Sequence, residues 1–247
     1  MGFFTLYKRD IVNIVKNPTL LITNSIFPLL FIMIFGYLSA DYYGGKEITS
    51  YDYYGITMLV YCVLNVSMTA SNSFMESSLK SSNLRVMYSP IRIGYVYVAK
   101  VMATFTVTSV CLLSVMLIIH GCLNVTYGGS NAIYVIIILS LFNFFTSIVG
   151  VLFCCIFKSE EITNMILSIV NNVLAILGGL FFSLDGFGEV MRTLSYISPV
   201  KWIVECVMKI IYDHDLSLVI TTSAILIIMS SLCLLLCKLF FKVEDYV

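Results

Sequence analysis

AIYVIIILSLFNFFTSIVGVLFCCIF, residues 132–157, runs for 26 positions without one charged side chain. At 1.5 Å rise per residue a helix of that length covers about 39 Å, more than the roughly 30 Å of bilayer hydrocarbon. After only Lys158-Ser159-Glu160-Glu161 the pattern returns as ITNMILSIVNNVLAILGGLFF, residues 162–182. Working outward, further apolar runs occupy 20–40, 55–74, 99–119 and 217–241. The cores of the first five runs hold no Asp, Glu, Lys or Arg, and the sixth holds none before Lys238. The whole chain is 60% hydrophobic and 11% charged, against about 25% charged in a soluble domain. The reading is an all-α integral membrane protein with six transmembrane helices, forming a single membrane domain over residues 1–247.

The segment before the first span is different. In FFTLYKRDIVNIVK, Phe4, Tyr7, Ile11, Ile14 and Val15 fall on one helical stripe, with Leu6 as an exception, and Arg9, Asp10, Asn13 and Lys16 lie opposite. That spacing predicts an amphipathic helix lying in the membrane interface, ended by Asn17-Pro18. Residues 41–54 are tyrosine-rich and acidic, as an interfacial belt would be, and 120–131 read as a tight turn. Residues 183–216 hold two helical patterns broken at Ser198-Pro199, the second covering 200–212. Lys201, Glu205 and Lys209 are too costly for a buried span. They suit a re-entrant hairpin dipping partway into the outer leaflet before the sixth span.

Basic residues set the orientation. Ten of them, including Lys8, Arg9, Lys16, Lys80, Arg85, Arg92 and Lys100, fall on one side, against Lys46, Arg192, Lys201 and Lys209 on the other. The richer side is cytoplasmic, so six spans put both termini in the cytosol of a cell bounded by this plasma membrane.

Several chemistries are excluded. Gly45-Lys46 lacks a phosphate loop's flanks, because position 40 is Ala and position 47 is Glu. With 14 basic and 14 acidic residues there is no surplus for nucleic acid. His120 and His214 assemble no metal or nucleophile motif. Of eight cysteines, six behave as small hydrophobes of the spans, and only Cys122 and Cys206 fall outside, where a bridge between them stays open. Within the spans lie Asn24, Asn65, Asn143, Asn164, Asn171 and Asn172. Interhelical hydrogen bonding accounts for most of them. Asn65, Ser67, Thr69, Asn171 and Asn172 are the candidates for a weakly polar substrate route. Neighbours on a helix point about 100° apart, so at most one of Asn171 and Asn172 faces a cavity squarely.

The cytoplasmic loop MESSLKSSNLRVMYSPIRIGYVY, residues 75–97, mixes Glu76, Lys80, Arg85 and Arg92 with Leu79, Leu84, Val86 and Met87. Such a pattern fits a short helix docking its apolar anchors into a groove on a cytosolic partner. Lys158-Ser159-Glu160-Glu161 is the second place of this kind.

This arrangement resembles, along essentially the whole chain, the membrane subunit of ABC-2 type exporters. The family's coupling loop has an early Glu, a later Thr/Ser-Pro and a closing Gly/Ala-Lys, matched here by Glu76, Ser89-Pro90 and Ala99-Lys100. GGLFFSLDGFGEVMRTLSYISPVKWIVE (178–205) is similar to the family's Gly-rich end of span five, outer helix and following Ser-Pro, through Gly178, Gly179, Phe182 and Pro199. Two departures stand out. Ser77-Ser78 replace the family's frequent Gly-Thr, and Ser183 and Gly188 stand where prolines are usual. The resemblance implies a half-transporter that pairs with a second copy or a paralogous permease and rests on a cytosolic P-loop ATPase. ATP and Mg would belong to that partner, with no cofactor in this chain and no enzyme activity of its own. Glu76, Ser77, Ser78, Leu79, Lys80 and Arg85, with Lys158 and Glu160, would then make the ATPase contact.

Two other readings compete. An ion-coupled secondary transporter would usually show ionisable residues within its spans and repeated halves. A non-transporting scaffold or immunity protein would be independent of any ATPase. The weakly polar spans suit an amphiphile, such as a drug, antimicrobial peptide or lipid.

Overall fold

The computed structural model describes residues 2–43, 49–75, 93–182 and 188–241. Among them every regular element is helical. An amphipathic helix, α1 (Phe3–Lys16), precedes α2 (Pro18–Leu38), the short α3 (Ala40–Tyr43) and α4 (Ser50–Met75). Then come α5 (Ile93–Leu123), α6 (Ala132–Phe157) and α7 (Glu160–Leu177). Two shorter helices, α8 (Glu189–Ser195) and α9 (Pro199–Met208), lead through a π-helical turn (Lys209–Asp213) into α10 (Ser217–Phe240). Six helices, α2, α4, α5, α6, α7 and α10, are long and apolar enough to cross a membrane.

The apolar runs set these helices, and local chemistry ends them. Asn17 accepts hydrogen bonds at its Oδ1 from the Thr19 and Leu20 amides (3.1 and 3.4 Å), and Pro18 occupies the first helical position. Both features favour a helix start. Consequently one residue separates α1 from α2. The expected fifth span of 162–182 stops at Leu177, because Gly179 turns to φ +73° and Gly178 lies under Val200. A Cβ on Gly178 would stand 2.7 Å from a Val200 methyl. The break expected at Ser198-Pro199 is present, with Ser198 the cap and Pro199 the first residue of α9. At the start of α10, the Ser217 amide and hydroxyl donate to Asp215 at 2.9 and 2.8 Å, which holds that carboxyl below its usual range.

Packing places α4 and α6 at the centre. In its most apolar window α4 is 78% buried, whereas α2 and α7 are each 22% buried. Gly150 of α6 lets the two central backbones meet: a Cβ there would collide with the Ser67 carbonyl and stand 2.8 Å from the Ala70 methyl. On α5, Thr108 donates to Asn143 Oδ1 at 2.9 Å, and Asn143 Nδ2 donates to Ser109 at 2.9 Å, tying α5 to α6.

Two expectations need correction. First, Asp10, read as part of the polar face of α1, turns into the bundle. The protein-facing stripe of α1 is Leu6, Asp10 and Ile14, while Phe4 is 72% exposed. The reason is a partner for Asp10, described below. Second, Lys100 lies seven residues inside α5 and is buried, so the span reading of 99–119 places a charge within a helix rather than at a loop edge. The Cys122–Cys206 bridge that the sequence left open is not formed: both are free, Cys122 exposed and Cys206 buried in α9. Burial also pushes the Cys206 thiol up, away from the thiolate that disulfide exchange needs.

Candidate functional site

Polar side chains recur on α4 at Tyr61, Asn65, Thr69 and Asn72, spacings of four, four and three that put them on one stripe. Facing them on α7 are Asn164, Ser168 and Asn172, again at intervals of four. Thr19, Thr23 and Asn24 of α2 close the third side, and a groove of 280 Å³ runs between the three helices. No charged side chain lines it among the described residues. Its polarity comes from amides and hydroxyls, which can hold a polar group without the desolvation cost that a buried charge carries.

Hydrogen bonds define the walls. Asn24 Nδ2 donates to Thr69 Oγ1 at 2.9 Å and to the Leu20 carbonyl at 2.7 Å. The Tyr61 hydroxyl donates to Asn172 Oδ1 at 3.0 Å. Asn164 donates to Asn72 across the end of the groove nearest the α6–α7 turn. Behind the groove, Asn171 Nδ2 lies 3.0 Å from Ser67 Oγ, 3.3 Å from Asn65 Oδ1 and 3.4 Å from the Leu64 carbonyl.

The five route candidates therefore divide. Asn65, Thr69 and Asn172 line the groove. Ser67 and Asn171 are buried and staple α4 to α7, and the adjacent asparagines point apart as their spacing requires. Asn24, Asn72, Tyr61 and Ser168 also line the groove and had not been singled out. The four-residue spacing of hydroxyls and amides along α4 was the available signal. Replacing Asn171 by Leu is expected to cost about 1–2 kcal/mol, the scale of interhelical hydrogen bonds in membranes. The exposed Asn172→Ala should leave stability nearly unchanged. Thermal midpoints of the two purified variants check this, and equal losses would contradict the division.

A second cluster lies at the α1 end of the bundle. Asp10 Oδ1 accepts from Arg9 Nη2 at 2.8 Å and stands 3.6 Å from Lys100 Nζ. Lys100 Nζ also donates to the Ser73 carbonyl at 2.8 Å and sits 5.9 Å from the Phe74 ring centroid. Asp10 and Lys100 are each 2% exposed. One buried cation thus joins α1, the last turn of α4 and the first turns of α5. Composition gave no sign of it, since each residue alone reads as a headgroup-side charge.

The predicted contact residues Glu76, Ser77, Ser78, Leu79, Lys80 and Arg85 lie outside the described residues, between Met75 of α4 and Ile93 of α5. Lys158 and Glu160 are described. Lys158 adopts φ +57° as the cap of α6, with its amide on the Cys154 carbonyl at 2.9 Å. Glu160 opens α7 beside Glu161, where carboxylates suit the helix N-terminus. Among the described residues no group of three His, Cys, Asp or Glu could hold a metal ion.

Six apolar helices, three of them flanking a charge-free polar groove, define a multi-pass membrane protein. Residues 1–212 match the family model of the ABC-2 type transporter. The chain belongs to that family and is its membrane component rather than an ATPase; permeases of this family normally work with a cytosolic ATPase. No curated protein matches the chain.

Proposed function

We propose that this chain is the membrane half of an ATP-driven exporter, pairing with a second copy or a paralogous permease around a shared route. The observation that carries the reading is the groove between α2, α4 and α7, together with the shallow burial of α2 and α7. Both helices are 22% buried in the single chain, which leaves their outward faces for lipid or for a second permease. Asn65, Thr69 and Asn172 would offer weak, neutral hydrogen bonds to a passing amphiphile such as a drug, antimicrobial peptide or lipid. A route for such a cargo must bind weakly enough to release it, and amides do so better than fixed charges.

In this reading both termini are cytoplasmic, in the plasma membrane, and the α8–α9 pair dips into the outer leaflet. Coupling runs through the segment 76–92, with Glu76, Ser77, Ser78, Leu79, Lys80 and Arg85 on the ATPase, and with Lys158 and Glu160 beside them. The Asp10–Lys100 pair supports the assignment, because Ser73 and Phe74 precede this segment and Lys100 follows it. ATP and Mg would act in the partner alone.

Gentle purification from the native membrane with mass spectrometry provides the test. A P-loop ATPase at near-equal stoichiometry is the expected result. The double variant Glu76→Ala/Leu79→Ala should insert normally yet lose most of the co-purified ATPase. Recovery of the chain without an ATPase from several detergents would favour a scaffold or a secondary transporter instead.

A further inference from the structure

The turn that joins α5 to α6 roofs a groove of 440 Å³. Its walls are Leu113, Met116 and Leu117 of α5, which share one helical face, and Ala132 and Ile136 of α6. His120 and Tyr127 close it toward the turn. No Asp, Glu, Lys or Arg lines it among the described residues. The roof is well anchored: Val125 is fully buried, and its carbonyl accepts from His120 Nδ1 at 2.8 Å. The groove is therefore formed before anything enters it.

Two independent observations identify the occupant. The first is where the groove opens. Both walls belong to helices long and apolar enough to span a membrane. Leu117 is 72% exposed, and Val110, on the same stripe nearer the middle of α5, is 60% exposed. In a bilayer that stripe meets hydrocarbon. An apolar groove there stays dry, and its lining gains dispersion contacts only when a hydrocarbon chain fills it.

The second observation is Tyr127. It is 8% exposed, and its hydroxyl has no hydrogen-bond partner among the described residues. Buried tyrosine hydroxyls ordinarily find one, and an unmet polar group costs stability. Tyr127 lies between two spans, Gly94–Leu123 and Gly129–Phe157, and so at the membrane boundary. Glycerolipids carry their ester carbonyls at that level, directly above the acyl chains. A chain in the groove would bring an acceptor to the residue that lacks one.

We infer that this groove seats one acyl chain of a resident bilayer glycerolipid, whose ester carbonyl accepts a hydrogen bond from the Tyr127 hydroxyl. The site is separate from the polar groove of α2, α4 and α7. It requires only that α5 and α6 cross a bilayer, and it stands apart from the exporter reading.

The full chain, delipidated in detergent, would be titrated with palmitoyl-oleoyl phosphatidylcholine and with its diether analogue. The analogue has the same chains and headgroup but no ester carbonyl. Native mass spectrometry counts the lipids retained. One ester lipid per chain is expected to bind saturably, several-fold more tightly than the diether. Tyr127→Phe should fold as the wild type does and erase that preference, which a merely structural tyrosine would not do. Ala132→Phe fills the groove and should abolish retention. Leu117→Asn changes an exposed position and should weaken retention several-fold without disturbing the fold. Ile220→Phe, at an 81% exposed position of α10, should leave it unchanged. Equal affinity for ester and diether in the wild type, or wild-type retention in both Ala132→Phe and Leu117→Asn, would overturn the inference. So would a Leu117→Cys cross-link between two copies forming in place of lipid, which assigns the groove to a second permease. The titration needs neither ATP nor an ATPase, so it can fail while ATPase co-purification succeeds, and the reverse.

Discussion

Asp10→Ala is expected to destabilise the folded bundle by about 3–5 kcal/mol, the usual cost of leaving a buried ion without its counterion. The substitution strands Lys100, which is 2% exposed and, among the described residues, keeps the Ser73 carbonyl and the Phe74 ring near its ammonium. Lys100→Met should cost less, because Asp10 retains Arg9 at 2.8 Å and Arg9 is 29% exposed, close enough to water to share the charge. The double variant Asp10→Leu/Lys100→Met should recover most of the loss, since it removes both charges together. Thermal unfolding monitored by size-exclusion fluorescence orders the three variants. Equal midpoints for Asp10→Ala and the double variant would remove the buried pair from the account of stability.

Gly150→Ala is expected to cost about 1–3 kcal/mol or more, the range for forcing a methyl into a packed interior. The obstacle is backbone: the added Cβ would meet the Ser67 carbonyl, and α4 can yield only by moving away from α6. Gly150→Leu should prevent the two central helices from meeting and yield no monodisperse protein. Gly121, also within a helix, provides the control, for nothing lies within 4 Å of its built Cβ. Alanine there should be neutral or stabilising by up to about 1 kcal/mol. Matching losses at both positions would show that propensity, and not the α4–α6 approach, governs the result.

The six spans were legible because bilayer thickness and helix rise translate directly into runs of about 20 apolar residues. The end of α7 was not, since Gly178-Gly179-Leu180-Phe181-Phe182 stays apolar and its break comes from a positive φ at Gly179 and contact with Val200. The burial of Asp10 on α1 was missed for a related reason. Periodicity treats Asp10 as a solvent residue, and only the fold reveals the cation waiting for it on α5. The groove was half legible. Asn65, Thr69 and Asn172 are polar residues with room beside them, whereas Ser67 and Asn171 have the same chemistry and no room. Which of two neighbouring asparagines packs and which lines a space depends on helix rotation, and a single sequence leaves rotation open.

One residue, Asn17, joins α1 to α2, and the consequence is mechanical. Asp10 fastens α1 to the base of α5, seven residues before the joint, or about 10 Å along the helix axis. Any rigid displacement of α5 must therefore drag α1, and the dihedrals at Asn17 are where the bend has to be absorbed. With an arm of about 10 Å, a shift of under about 2 Å at Lys100 corresponds to a swing of roughly 10° about Asn17. The amphipathic helix and α5 are thus one linked unit, held also by the Tyr7–Thr106 hydrogen bond, and Asn17 is its joint to the foot of α2.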